Sequence, residues 1–361
     1  MAFDNGVFSA PELNPNNSGL FSIIKPETYS ATANQERWVR GYAQEFIAEP
    51  TAISNYDDTD TINAPVYVAT SKPERYIDIK PFFVEVEDTD STLGLVYEDR
   101  FKRVTDQLEA ATQKAVEREL HDGQISAPLG LGNTVLANGP LMPASDTAMS
   151  AERALAILEH SARSNSPTGE QPYIHMSADV ASLLKTAIQF DKKEDMLVTR
   201  LGSPVIIGAG YTGNGPLTSL STYSITSNTL TVNTATAHGL TTGDTAYLNF
   251  TGASLSARFS NYVTVTVSDS TTFTVSFTNA DITEEAAVGV VQFAGSVDTK
   301  WIYASGCLDI NLGAVEVVND TLAQGYDVSG NQNDMRIKAF RSASVHFDTS
   351  IHLAVKVDLT A

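Results

Sequence analysis

The sequence predicts an α+β fold carrying an all-β insertion, and three observations predict it. Across residues 93–122 apolar side chains return every three or four positions, the spacing of one helix face. Short apolar runs flank that stretch on both sides, among them Phe82-Phe83-Val84-Glu85-Val86-Glu87 and Val205-Ile206-Ile207, and these read as strands. Over residues 217–297 the composition changes: Thr and Ser dominate, lysine is absent, Arg258 is the only base, and period-two alternation takes over. A chain of 361 residues that is 42% hydrophobic and 18% charged is apolar enough to fold and long enough for about two compact domains.

Residues 1–65 are rich in Asn, Pro, Ser and Thr, with an amphipathic piece around Trp38, Val39, Tyr42, Phe46 and Ile47. This predicts an extended arm with a short helix. The runs 64–69 and 76–79, joined by Ser71-Lys72-Pro73-Glu74-Arg75, predict a long hairpin with a charged tip. After the strand 82–87, Asp88-Thr89-Asp90-Ser91-Thr92 reads as a helix cap. The helix stripe is Leu93, Tyr97, Phe101, Val104, Leu108, Ala111 and Ala115, ending at His121-Asp122-Gly123. Such a helix extends about 40 Å. Its other face, with Arg100, Lys102, Arg103, Asp106, Glu109, Lys114, Glu117 and Arg118, is expected to meet solvent or a neighbouring subunit. A second helix is expected over 147–164, with Ala151, Leu155, Leu158 and Ala162 inward. Tyr173-Ile174-His175-Met176 reads as a strand, Ser177 as an N-cap, and Val180, Leu183, Leu184 and Ile188 as the next helix face.

Within the insertion, strands are expected at 229–232, 246–250, 262–267, 272–277 and 288–293, with turns at His238-Gly239, Gly243-Asp244 and Asp269-Ser270. Alternation this regular predicts a small antiparallel sandwich or barrel. Three further strand-like stretches, 308–318, 334–347 and 350–359, must pair with the earlier part of the chain.

Chemistry is sparse. Gly208-Ala209-Gly210-Tyr211-Thr212-Gly213 matches G-x-G-x-x-G after a strand, but Asn214-Gly215-Pro216 continues as loop where a helix would have to receive the phosphates. A glycine-rich turn is the expectation. Asp88, Asp90 and Thr92 have the odd spacing of a calcium loop, yet Leu93 stands where its glycine belongs and Asp99 replaces its closing glutamate. Asp57, Asp58 and Asp60 read as a solvated loop. The histidines at 121, 160, 175, 238, 346 and 352 show no zinc or triad spacing, and no G-x-S-x-G elbow is present. Cys307, the only cysteine, sits among small and apolar neighbours and is expected to be a buried packing residue; no disulfide can form within one chain. No enzyme activity, cofactor or metal is expected. A formal charge of −20 argues against a specific nucleic-acid site, although an acidic lining would suit a wall that must not adhere to DNA. Apolar runs are too short to span a membrane and the first residues carry no leader, so production in the cytoplasm is expected.

The order of arm, hairpin, long charged helix, strand-helix step, glycine-ended strand and closing β segment resembles the major capsid proteins of tailed bacteriophages, those with the Hong Kong ninety-seven type fold. Four strings add to the resemblance and look like strings in capsid proteins of phages infecting actinobacteria: Asp78-Ile79-Lys80-Pro81-Phe82, Ser166-Pro167-Thr168-Gly169-Glu170-Gln171, Tyr211-Thr212-Gly213-Asn214-Gly215-Pro216, and Asn333-Asp334-Met335-Arg336-Ile337-Lys338-Ala339. The likeness covers residues 60–216 and 300–358. It implies an N-terminal arm (1–49), an extended loop reaching over a neighbour (50–80), a peripheral domain with a spine helix (81–197 and 331–361), an axial domain (198–216 and 298–330) and an inserted β domain (217–297). It also implies a non-enzymatic subunit that assembles with itself into hexamers and pentamers around double-stranded DNA, in the virion capsid. Implied partners are portal and scaffolding proteins and a decoration or cement protein, with packaged DNA touched non-specifically and no membrane. Lys72, Glu74 and Arg75 at the loop tip, and Arg100, Arg103 and Arg118 on the spine helix, are the candidate contacts between subunits. The string Thr236-Ala237-His238-Gly239-Leu240-Thr241-Thr242-Gly243-Asp244 looks like a β module common in phage tail and capsid proteins. An encapsulin-type shell protein and a tail or adhesin protein with a sugar-binding module are the rival readings.

Overall fold

The computed structural model describes residues 18–28, 42–45, 76–91, 97–123, 133–142, 147–166, 169–191, 196–255, 257–294, 298–319 and 334–361. One helical turn, Leu20–Ile23, precedes the two-residue strand β1 (Glu27–Thr28). Strand β2 (Tyr42–Glu45) pairs antiparallel with β3 (Tyr76–Ile79), Tyr42 opposite Ile79. One expectation is thereby corrected, since the chain at 42–45 is extended rather than helical, and 76–79 takes 42–45 as a strand partner. Aromatic and β-branched residues at short spacing suit either period, and a non-local sheet contact decides between them. The run 64–69 and the tip 71–75 lie outside the described residues.

Strand β4 (Phe82–Ser91) runs four residues further than expected. Asp88, Asp90 and Ser91 stand opposite Ile337, Met335 and Asp334, so they are ladder residues and not helix caps. The long helix, Tyr97–Asp122, has 26 residues and closes on Gly123, whose positive φ of 65° and bond to the Glu119 carbonyl form a left-handed cap. Its inner stripe is Val104, Leu108, Val116 and Leu120, all buried. After β5 (Met149–Ser150), the helix Ala151–Asn165 buries Ala151, Leu155, Leu158 and Ala162, the face that its spacing predicts.

Strand β6 (Tyr173–Met176) leads to a short helix, Ala178–Leu183, with Ser177 at the N-cap position but making no side-chain cap bond. The chain then turns into a hairpin of β7 (Ile188–Asp191) and β8 (Met196–Thr199). Ile188 therefore belongs to a strand, and Leu183, expected inward, is 44% exposed. Strand β9 (Val205–Ile207) follows.

Strands β10 (Leu217–Thr226), β11 (Thr229–Thr234), β12 (Thr245–Gly252), β13 (Phe259–Thr264), β14 (Thr266–Val267), β15 (Thr272–Ser276) and β16 (Ile282–Phe293) form one sheet in the order β13-β12-β16-β10-β11-β15-β14, every pairing antiparallel. Tyr223, Leu230, Val232, Leu248, Phe250 and Phe273 all join a single buried cluster, so the sheet folds over on its own apolar face. A bulge between Leu220 and Thr222 bends β10, the strand shared by both halves. Leu217 stands opposite Gln292, and the Gly215 amide bonds to the Phe293 carbonyl at 2.9 Å, so the chain enters and leaves this module at neighbouring points.

The rest of the chain is β17 (Thr299–Ser305), β18 (Leu308–Leu312), β19 (Glu316–Asn319), β20 (Asp334–Phe347) and β21 (His352–Asp358). In one sheet β18 and β19 line one edge of β20, β4 lines the other, and β1 extends β18 in parallel. The long helix lies on it, and Phe82, Val104, Leu108, Leu120, Ile310 and Phe347 share its core. The second sheet, β5-β21-β17-β6-β9, carries the helix Ala151–Asn165; Leu155, Leu158, Ile174, Val205, Ile302 and Val355 form a separate core there. Among the described residues no helix is long and apolar enough to cross a membrane.

Candidate functional site

The charged face of the long helix changes character along its length. Lys102, Asp106, Glu109 and Lys114 are exposed, as their pattern predicts, but Glu117, Glu119, His121 and Asp122 are all buried. Glu117 is thus a correction to the expected solvent-facing set. A buried carboxylate requires donors. Its Oε1 accepts the Leu20 amide (2.9 Å) and the Gln113 side-chain amide (2.9 Å), while Oε2 accepts the Gly210 amide (2.9 Å). The glycine motif receives its physical account here. A Cβ on Gly208 would stand 2.7 Å from the Glu117 carboxyl carbon, and one on Gly210 2.6 Å from the Glu117 Cβ. The backbone must approach the long helix closely, and only glycine permits that.

Beside this contact lies a polar cluster sealed inside the fold. His175 is fully buried, with Nδ1 2.9 Å from the Tyr211 hydroxyl and Nε2 2.8 Å from Ser305 Oγ. Ser305 Oγ also reaches the Gly306 carbonyl at 3.2 Å. A neutral ring fits this chain: Tyr211 donates to Nδ1, Nε2–H donates to Ser305, and Ser305 donates onward. Burial, reinforced by neighbouring His121, pushes the His175 pKa down to about 3. The Tyr211 hydroxyl is held well above its ordinary range by burial and then by Glu117, and Tyr303 likewise by burial and then by Asp122. The Tyr303 hydroxyl donates to the Asn214 carbonyl at 2.5 Å, and the His121 ring stands edge-on to Tyr303 at 5.2 Å. With no opening to solvent at these side chains, the cluster positions backbone and presents nothing to a substrate.

A groove of about 520 Å³ lies between the helix Ala151–Asn165 and the segment after β8. Leu155, Ala156, Ala187 and Leu201 line it, and its charged groups are engaged structurally: Glu152 accepts from Thr186, Glu159 accepts from Thr199 at 2.6 Å, and Arg163 donates to the Leu201 carbonyl at 2.8 Å. His160 and Ser164 also line it, but the Ser164 hydroxyl donates to the His160 carbonyl at 2.8 Å, not to its ring. Leu201, in its lining, is 57% exposed, and Leu183 and Phe190, in the preceding helix and strand, are 44% and 54% exposed. The spacing predicts an inward Leu183, and nothing in the sequence singles out Phe190 or Leu201.

Of the expected contact residues, Lys72, Glu74 and Arg75 lie outside the described residues. Arg100 sits in the first turn of the long helix, while Arg103 and Arg118 lie half-buried further along it, Arg118 beside the Gly210 turn. The structure does not bring these last two to one point: they are fifteen positions apart, about 22 Å along the axis. Cys307 is exposed rather than buried, since it turns outward between β17 and β18. Its thiol is partly withdrawn from water, and that withdrawal, together with the carboxylates of Glu170, Asp348 and Asp309, raises its pKa. Among the described residues no three His, Cys, Asp or Glu side chains are placed to hold a metal ion.

The chain matches no family model and no curated protein. Solved structures similar to it include phage and particle capsids. One is the capsid of an empty GTA particle, at TM-score 0.47 and 9% identity, covering 97% of this chain and 92% of that one. Another is from Mycobacterium phage Ogopogo, at TM-score 0.40 and 10% identity, covering 96% and 95%. A third is the mature capsid of bacteriophage PhiM1, at TM-score 0.38 and 10% identity, covering 99% and 91%. Scores and identities this low leave the functional reading to rest on the residues themselves.

Proposed function

We propose that the chain is a structural subunit of a tailed-phage capsid, a protein whose work is to pack against copies of itself. The observation that carries this reading is the set of large apolar side chains left open to solvent, Leu183, Phe190 and Leu201 among them. Exposed side chains of this size supply what an interface between copies would bury. The four capsid-like strings and their order support the same reading and select a second copy as the partner. In the finer form of the proposal, subunits gather into hexamers and pentamers enclosing double-stranded DNA. Residues 50–80 reach over a neighbour, the long helix is the spine of a peripheral domain, and residues 217–297 are an inserted module. Portal, scaffolding and decoration proteins are the further partners of such a subunit.

Charge substitution tests the reading. Replacing Phe190→Lys and Leu201→Lys together removes exposed apolar surface without opening a core, so the chain should keep its far-ultraviolet circular dichroism and melting temperature. Sedimentation velocity should show large assemblies for the parent chain and none for the variant. Shells of ordinary size from the variant contradict the role given to this surface.

A further inference from the structure

We propose that Glu117 mechanically couples the N-terminal strap, residues 18–28, to the turn 208–216 from which the β module departs, so that loosening either one loosens the other. The two segments lie some 190 positions apart in sequence and meet on one carboxylate: Oε1 holds the Leu20 amide and Oε2 the Gly210 amide, each at 2.9 Å. Three further contacts close the circuit. The Ile207 amide donates to the Ser18 carbonyl at 2.8 Å, which ties the strap to β9 immediately before the glycine turn. Leu20 is fully buried against the long helix, with Phe21, Ile23 and Ile24 packed around it. Beyond the strap's helical turn, β1 pairs with β18, Glu27 opposite Asn311.

On its other side the turn leads directly into the module. The Gly215 amide bonds to Phe293, the Gln292 side chain donates to the Gly215 carbonyl at 2.8 Å, and Tyr303 holds the Asn214 carbonyl. Glu117 is fully buried and accepts bonds from both sides. Gly208 and Gly210 press on its side chain from one side and the strap closes it from the other. If the strap lifts, Oε1 is left with the Gln113 amide alone inside the core, and the carboxylate gains by turning toward the water that the strap had excluded, which releases Gly210 as well. Coupling of this kind is reciprocal by thermodynamic necessity. In a shell subunit it would let a neighbour that engages the N-terminal arm alter the set of the β module; the coupling itself is a property of the single chain.

Hydrogen–deuterium exchange of the full chain, followed by mass spectrometry, tests the coupling from both ends. Ile23→Ala weakens the strap's packing without touching Glu117, and should speed exchange of peptides from 208–216 by roughly five-fold or more. Gly208→Ala crowds the Glu117 carboxylate from the opposite end and should speed exchange in 18–24 to a similar degree. Glu117→Gln, which keeps the shape but presents an amide to one of the donors, should speed both. Peptides from 229–234 and 245–252 inside the module report folding and should stay unchanged in all three. If Ile23→Ala speeds exchange only within the strap, or Gly208→Ala only within the turn, the two segments are independent and the proposal fails.

Discussion

His175 illustrates what a single buried side chain does to the stability of this fold. It is held neutral, with its pKa lowered to about 3, whereas in the unfolded chain it titrates near its ordinary 6.5. The unfolded state therefore takes up a proton first as the pH falls. Stability is complete above about pH 6.5 and declines by about 1.4 kcal/mol per pH unit below it, until the folded pKa is reached. His346 and His352, both lowered mainly by burial, act in the same direction. Urea midpoints measured from pH 7 to pH 5 should fall, and the slope should flatten in His175→Gln. Gly252 sets a second expectation: a Cβ there would collide with the Tyr223 ring, whose hydroxyl is hydrogen-bonded to Glu285. Gly252→Ala should destabilise the module by about 1–3 kcal/mol, seen as a lowered thermal midpoint. Little of this was legible beforehand. Spacing assigns Glu117 to a charged face, because a periodic pattern carries no information about what the far turns of a helix meet. The glycines of 208–213 were legible as a turn, but the carboxylate that demands them comes from 91 positions earlier.

At the scale of elements the long helix is the organising piece, since it lies across β4 and β20 and its last turn, from Glu119 to Asp122, is buried. Leu108→Ala, at a fully buried position of that helix, should cost about 2–5 kcal/mol in chemical denaturation. Both long helices were readable because their inner faces repeat at helical spacing over many turns. The missed pieces have specific causes. Strand β10 hides in Leu-Thr-Ser-Leu-Ser-Thr-Tyr, where small hydroxyl residues mask the alternation. The β10–β11 turn uses Ser227 and Asn228 at φ 50° and 63°, a left-handed pair without the glycine that usually announces it. The pairing of β2 with β3 joins residues more than thirty positions apart, which local pattern cannot reveal. In the module His238 serves two turns at once, accepting from the Leu240 amide at 3.0 Å and reaching the Asp269 carbonyl at 3.1 Å.

For the whole molecule, three cores follow from the sheet order: one beneath the long helix, one beneath Ala151–Asn165, and one inside the module. Because the module's strands pair only with one another and its two ends adjoin, excising residues 217–297 and bridging with a short glycine linker should leave a chain that folds; loss of folding would make the module integral to the body. What remains is a chain with large apolar side chains in the open and a buried carboxylate, Glu117, that holds the backbone of two distant segments. The most direct measurement is electron microscopy of negatively stained, purified full-length chain, with and without the products of adjacent genes. Closed, uniform shells are the predicted result; particles that remain single subunits under every condition would contradict it.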